Sequence, residues 1–241
     1  MRYLLEIAYS GTNYGGWQLQ PNVNTVQAEV NKALGIILRH PTFCVGCGRT
    51  DAGVHAKQFF LHFDTDKEID NDFLRILNRV LPFDIAAKSL KVVAENFNAR
   101  FAAISRTYHY YISFNKDPFV FGNAARLYKP LDIDRMNEAS KLLYGKKDFQ
   151  CFSKTSTNVS TFICDLTKAE WYLENGLMVF EISANRFLRN MVRAITGTMV
   201  LVGENKIDIS DFEAIIKSKD RCKAGKSMPA EGLYLTEVKY S

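Results

Sequence analysis

Apolar positions recur with two different periods along this 241-residue chain, and the switches between them mark out strands and helices. Residues 3–9 (Tyr-Leu-Leu-Glu-Ile-Ala-Tyr) read as a strand that ends in the turn Ser10-Gly11-Thr12-Asn13. Val26, Val30, Ala33, Leu34 and Ile37 then fall on one helical stripe, and Asn24 with Gln27 offers a capping-box start to a helix reaching about Arg39. Strands are expected near 42–47 and 57–64. A helix is expected over about 70–81, stopping before Pro82, and a strand over about 85–93.

The second half repeats the alternation. Arg106 to Phe114 is a β-branched and aromatic run that predicts a strand, and 132–144 predicts a helix ending at Gly145. Strands over about 164–173 and 177–184 meet at Glu174-Asn175-Gly176, a strong hairpin signal. A helix over about 187–202 ends at Gly203, Ser210 with Glu213 caps another, and the last strand is 233–238. Each half follows a β-α-β-β-α-β-like order, so the fold class is mixed α/β (α+β), with sheets able to join side by side. The expected division is residues 1–100 and residues 101–241, with no low-complexity linker between them. A cleft between such halves is a natural place for a substrate.

Within this frame the stretch Gly48-Arg49-Thr50-Asp51-Ala52-Gly53-Val54-His55-Ala56 stands out, because it sets one carboxylate between glycines and beside an arginine. Glycine lets such a loop be tight and closely approached, which would aim Asp51 at a ligand. Asp-Ala-Gly is also ordinary turn material. A phosphate cradle does not fit: Asp51 stands where G-x-G-x-x-G needs its third glycine, and its charge would repel phosphate.

On the helix expected at 187–202, Leu188, Val192, Ile195, Met199 and Val202 form the core stripe, while Arg186, Arg189, Asn190 and Arg193 fall on another face. A solvated basic face is the plain explanation. A row of guanidiniums reaching phosphate or a carboxylate is the other. Period-two alternation puts Arg106, Tyr108 and Tyr110 on one side of their strand, and an aromatic among basic residues is how proteins stack an unstacked base. Aromatic strands more often fill a core.

Composition adds bounds. Hydrophobic residues make up 47% and charged residues 24%, typical of a globular protein with a real core. The net charge of +5 permits a nucleic-acid partner without demanding one. Five cysteines in scattered positions resemble no secreted disulfide framework, and neither a signal peptide nor a membrane span is visible, so a cytoplasmic location is expected. Cys44-x2-Cys47 followed by His55 and His62 raises a zinc site, but the histidine spacing is wrong for a zinc module. Two small buried residues are the simpler account of those cysteines. No nucleophile triad with a local signature is present.

Taken together, these residues resemble a known family, the bacterial tRNA pseudouridine synthases of the TruA type. The likeness runs through Tyr9-Ser-Gly-Thr-Asn-Tyr-Gly-Gly-Trp-Gln18, Thr25-Val26-Gln27, the loop at 48–56, Phe97-Asn-Ala-Arg-Phe101 and Arg106-Thr-Tyr-His-Tyr110. It continues through Lys147-Asp-Phe149, Phe187-Leu-Arg-Asn-Met-Val-Arg193 and Pro229-Ala-Glu-Gly-Leu-Tyr-Leu235. Ser10, where the family usually has Asp, and Cys47, where it has a small residue, are the visible departures.

The resemblance implies the pseudouridine synthase fold: two related ferredoxin-like (RRM-like) halves, a mostly antiparallel sheet and a central active-site cleft. The N-terminal half would carry the catalytic loop and the C-terminal half would complete the cleft. It implies isomerisation of uridine to pseudouridine at nucleotides 38, 39 and 40 of the tRNA anticodon stem-loop, by a homodimer with no cofactor and no metal. Residue by residue, Asp51 matches the catalytic aspartate, Arg193 its arginine partner and Tyr108 the base-stacking tyrosine. Leu233 matches a residue packing under the base, and Arg49 the arginine that fills the space left by the flipped nucleotide. A noncatalytic RNA-binding module on the same halves, and a zinc-stabilised protein using Cys44, Cys47, His55 and His62, remain as other classes.

Overall fold

The computed structural model describes residues 1–155 and 159–240, which form two compact units: Met1–Ile104 with the C-terminal stretch from Tyr234, and Ser105–Leu233. In the first unit the elements follow as β1 (Arg2–Tyr9), α1 (Val26–Leu38), β2 (Val45–Gly46), β3 (His55–Asp64), α2 (Phe73–Val80) and β4 (Ile85–Val93). β1 runs antiparallel between β3 and β4, and β2 adds a two-residue rung to β3. The C-terminal strand Leu233–Tyr240 joins β3 in parallel, pairing Tyr234 with His55 and Leu235 with Ala56. Its seat is reinforced by the Val238 N–H, which donates to Gln58 Oε1 at 2.9 Å, and by the Tyr240 hydroxyl, which donates to Ala99 O at 2.8 Å.

Alternation decides which face of this sheet is covered. Leu5, Ile7, Phe59, Leu61 and Phe63 are buried from the strands, and α1 lays Val26, Val30, Ala33, Leu34 and Leu38 among the buried set. The helix starts one residue later than the Asn24 reading: Thr25 is the N-cap, and its hydroxyl accepts from the Ala28 N–H at 3.3 Å. Gln27 serves the fold differently, its side chain accepting from Leu19 N–H and donating to Cys44 O.

The second unit comprises β5 (Ala103–Ser113), β6 (Ala125–Arg126), α3 (Ile133–Ser140), β7 (Gly145–Asp148), β8 (Ile163–Glu174), β9 (Leu177–Ala184), α4 (Met191–Gly203) and α5 (Ile209–Ser218). The C-terminal strand is β10. Its sheet is ordered β5-β9-β8-β7 in antiparallel pairs, with β6 parallel to β5. The β8–β9 hairpin turns through Asn175 and Gly176, both at positive φ (51° and 79°), which Asn-Gly adopts at little steric cost. Trp171 of β8 stacks on Phe180 of β9 at 4.4 Å, and Phe152 on Phe212 at 6.1 Å, centring the core under the helices.

In this second unit two helix starts differ from expectation. α5 is capped by Asp208, whose N–H donates to the Asp211 carboxylate at 2.9 Å, while Ser210 lies inside the first turn. Asp208 also accepts from the Arg135 guanidinium, and its own local box with Asp211 starts the helix two residues before Ser210. α4 begins only at Met191, because Asn190 takes a left-handed conformation (φ 65°) that interrupts any helix from Phe187. Arg186, Arg189 and Asn190 are therefore loop residues, and only Arg193 of the expected basic face is helical. No described helix is long and apolar enough to cross a membrane.

Candidate active site

The loop after β2 carries Asp51 on a tight turn. Asp51-Ala52-Gly53-Val54 is a β-turn closed by the Val54 N–H donating to Asp51 O at 3.2 Å, with Gly53 at φ 79° in the third position. The turn expected from Asp-Ala-Gly is therefore present, and Asp51 stands at its first position. Asp51 is half-buried and Arg49 is exposed. Of the loop glycines only Gly53 is needed for its conformation: a Cβ on Gly48 would meet nothing within 4 Å.

Close backbone approach to the loop is made by glycines of the preceding segment. A Cβ on Gly11 would lie 2.0 Å from Val54 O, and one on Gly16, at φ 97°, would lie 2.4 Å from Thr50 O. The Trp17 N–H donates to Thr50 O at 3.3 Å and the Gly53 N–H donates to Tyr14 O at 3.3 Å. Tyr9 and Thr50 share a buried hydroxyl–hydroxyl hydrogen bond of 2.9 Å. Gly46 lies flat beneath Trp17, which packs on Phe59 at 4.2 Å. Local pattern predicts only a turn at Ser10–Asn13, because backbone approach between distant segments leaves no periodic signal.

The four residues of the zinc alternative have other work. Cys44 and Cys47 are 2% and 1% exposed, flanking the two-residue β2 and not lying on a longer strand. Burial pushes the Cys44 thiol up to about 12, away from the thiolate a metal requires. Cys47 Sγ accepts from the Phe60 N–H at 3.4 Å. The Gly11 N–H donates to His55 Nδ1 at 3.2 Å and the His55 ring stacks on Tyr234 at 4.4 Å. The Ala99 N–H donates to His62 Nδ1 at 3.2 Å. Among the described residues, no group of three or more His, Cys, Asp or Glu side chains is placed to hold a metal ion.

In the second unit, Tyr108 sits on β5 opposite Ile182 of β9, half-buried, its ring edge-on to Phe187 at 5.2 Å. Arg106, two residues earlier on the same face, donates to Asn185 O at 2.8 Å and ties down the loop that carries Phe187. Tyr110 belongs to the core: it is fully buried, and its hydroxyl donates to Pro229 O at 2.7 Å. Burial drives its pKa far above the ordinary tyrosine range, so it stays a neutral donor. Gly232 packs against the Tyr110 ring and Tyr111 O, where a Cβ would lie within 2.8 Å and 2.7 Å, and this contact fixes the approach to Leu233, itself 6% exposed.

Arg193 lies in the first turn of α4, half-buried. Its Nε donates to Met228 O at 2.7 Å, and the Met228 N–H returns to Arg193 O at 3.0 Å. The segment 221–228 forms a strap over this helix. Arg221 donates to Ala224 O, Gly225 O and Ser227 Oγ, Asn190 donates to the same Ser227 hydroxyl, and a Cβ on Gly197 would strike Lys226 O at 1.8 Å. Gly197 carries no motif that would mark this contact, and Arg221 reads in sequence only as one of several basic residues.

A family model described as tRNA pseudouridine synthase matches residues 139–241, the part that holds Arg193 and Leu233. Curated relatives extend the likeness over the Asp51 loop. A tRNA pseudouridine synthase A of Porphyromonas gingivalis is 48% identical over 99% of this chain and 97% of its own length. One of Parabacteroides distasonis is 48% identical over 99% and 96%, and one of Ruminiclostridium cellulolyticum 39% identical over 98% of both chains. At this identity over nearly the whole of each sequence, with two mixed α+β units whose sheets are mostly antiparallel, the chain belongs to the tRNA pseudouridine synthase A family, a family of isomerases.

Proposed function

We propose that this chain isomerises uridine to pseudouridine at nucleotides 38, 39 and 40 of the tRNA anticodon stem-loop, with Asp51 as the catalytic nucleophile. The observation that carries this reading is the loop itself: in a chain of this family, an acid stands on a turn held through both its flanking peptides, the form a preorganised catalyst needs. The reaction breaks the bond between uracil N1 and ribose C1′, turns the freed base and joins C5 to C1′. The C5 proton leaves and N1 gains one, so the balance needs no redox partner and no phosphate energy. Asp51 serves by attack at C6 or C1′, or as the base at C2′ in a glycal route.

The remaining roles follow the same reading. Tyr108 stacks on the extracted base, offsetting part of an unstacking cost of roughly a few kcal/mol. Leu233 packs under that base, Arg193 is the charge partner of the catalytic carboxylate, and exposed Arg49 fills the space the nucleotide leaves in the stem. The enzyme works in the cytoplasm as a homodimer on tRNA, without cofactor or metal.

Incubation with tRNA tritiated at uracil C5 tests the proposal, because forming the C-glycoside releases the label. Release is expected from tRNAs bearing uridine at 38–40. No release from any of them would overturn the enzyme reading and leave a noncatalytic RNA-binding protein. Asp51→Asn is expected to abolish release while leaving tRNA binding largely unchanged.

A further inference from the structure

The segment Tyr9–Trp17 has no chemistry of its own in the proposed reaction, yet it grips the Asp51 loop from several sides. Thr50, the residue immediately before the acid, is tied twice: its carbonyl accepts from the Trp17 N–H at 3.3 Å and its hydroxyl bonds the Tyr9 hydroxyl at 2.9 Å. On the other side, the Asp51 carbonyl closes the turn onto the Val54 N–H. Both peptides flanking Asp51 are thereby fixed.

We propose that the Tyr9–Thr50 hydroxyl pair is a positioning device for Asp51, setting the peptide from which its carboxylate is projected. The inference rests on Asp51 being the nucleophile. Tyr9 and Thr50 are 4% and 9% exposed, so removing either hydroxyl takes a hydrogen bond from a buried neighbour. The Tyr9 ring packs edge-on to Phe59 at 5.7 Å at the end of β1, so the core and not the loop decides where the phenol oxygen sits. Thr50 must follow it. A backbone carbonyl bond alone leaves a peptide free to rock about that bond; a side-chain bond from the same residue removes the remaining rotation. Gly16, whose missing Cβ lets Trp17 approach Thr50 O, completes the clamp.

The test compares Tyr9→Phe, Thr50→Val, Thr50→Ser and the Tyr9→Phe/Thr50→Val double variant in the full-length protein. Single-turnover tritium release, tRNA Kd by filter binding and thermal melting are read on each. Misplacing a reacting group by about 1 Å can cost roughly 100-fold in rate, so a loss of roughly 10- to 100-fold corresponds to a shift of up to that size. That loss is expected in the single-turnover rate of Tyr9→Phe and of Thr50→Val, with tRNA Kd unchanged. The double variant is expected to be no slower than the slower single, and Thr50→Ser to retain the wild-type rate. Unchanged rates in the folded single variants, multiplying losses in the double, or losses that track weaker tRNA binding would overturn the proposal. If Tyr9→Phe does not fold, Thr50→Ser against Thr50→Val decides it. Asp51→Asn run alongside separates the two readings: activity there would remove the nucleophile assignment, whereas an inactive Asp51→Asn beside a fully active Tyr9→Phe would remove only the positioning pair.

Discussion

Arg193 and Met228 hold each other by two hydrogen bonds, Nε to Met228 O at 2.7 Å and Met228 N–H to Arg193 O at 3.0 Å. An ordinary surface arginine has no such anchor. Lysine carries the charge but has no Nε donor at that depth, so Arg193→Lys is expected to lose about 0.5–1.5 kcal/mol of stability. Its turnover should fall at least 10-fold, a drop larger than the loss of folded protein explains. Urea unfolding and tritium release on the same preparation check the pair of outcomes.

Gly197 is where the strap touches α4. The alanine methyl would sit 1.8 Å from Lys226 O, a backbone atom, so Gly197→Ala must lift the strap or bend the helix. Overpacking of this kind costs typically about 1–3 kcal/mol. A lower melting temperature with reduced activity is expected. An unchanged melting temperature would mean the strap moves freely.

The loop glycines should divide by position. Gly16→Ala meets both a positive φ of 97° and Thr50 O at 2.4 Å, and should lower both stability and activity. Gly48→Ala meets open space and should leave stability within about 0.5 kcal/mol of wild type. Thermal denaturation of the two variants side by side separates conformational need from composition.

His62 links stability to pH. Burial, then the Arg2 charge, lowers its folded pKa below the ordinary value, while Asp64 nearby pulls the other way. The unfolded chain therefore binds more protons between the folded pKa and about 6.5, so stability is full above that window and is lost as pH falls through it. Asp64 acts in a lower window: hydrogen bonding to Arg2 depresses its pKa, and its contribution is lost as pH falls below about 3.9. His62→Gln should flatten the dependence between pH 7 and 5 while leaving the lower limb. Denaturant midpoints across that range measure it.

Much of the fold was legible because it rests on local pattern. The Asn175-Gly176 hairpin, the α1 stripe and the stop before Pro82 are written in neighbouring residues. The start of α4 was not, because one left-handed asparagine overrides an apolar periodicity that continues on both sides of it. The brief strands β6 and β7 are too short to carry a periodic pattern. At the site, Asp51 was visible by composition and by resemblance, but its supports were not. Tyr9 with Thr50, and Arg221 with Ser227, are contacts between chain segments, and a glycine such as Gly11 shows its purpose only against Val54 O.

The parallel pairing of Tyr234 and Leu235 with His55 and Ala56 sets an order in time. Tyr234 lies 179 residues after the His55 it pairs with (234 − 55), so the edge of β3 beside the Asp51 loop is covered by a segment distant in sequence. Contacts of such long sequence separation form slowly, because the chain between them must first be closed into a loop. The imidazole of His55 finds its stacking ring only then. Completion of the proposed nucleophile's seat is thus tied to a contact of long sequence separation, and a folding chain holds it whole only after β10 has docked.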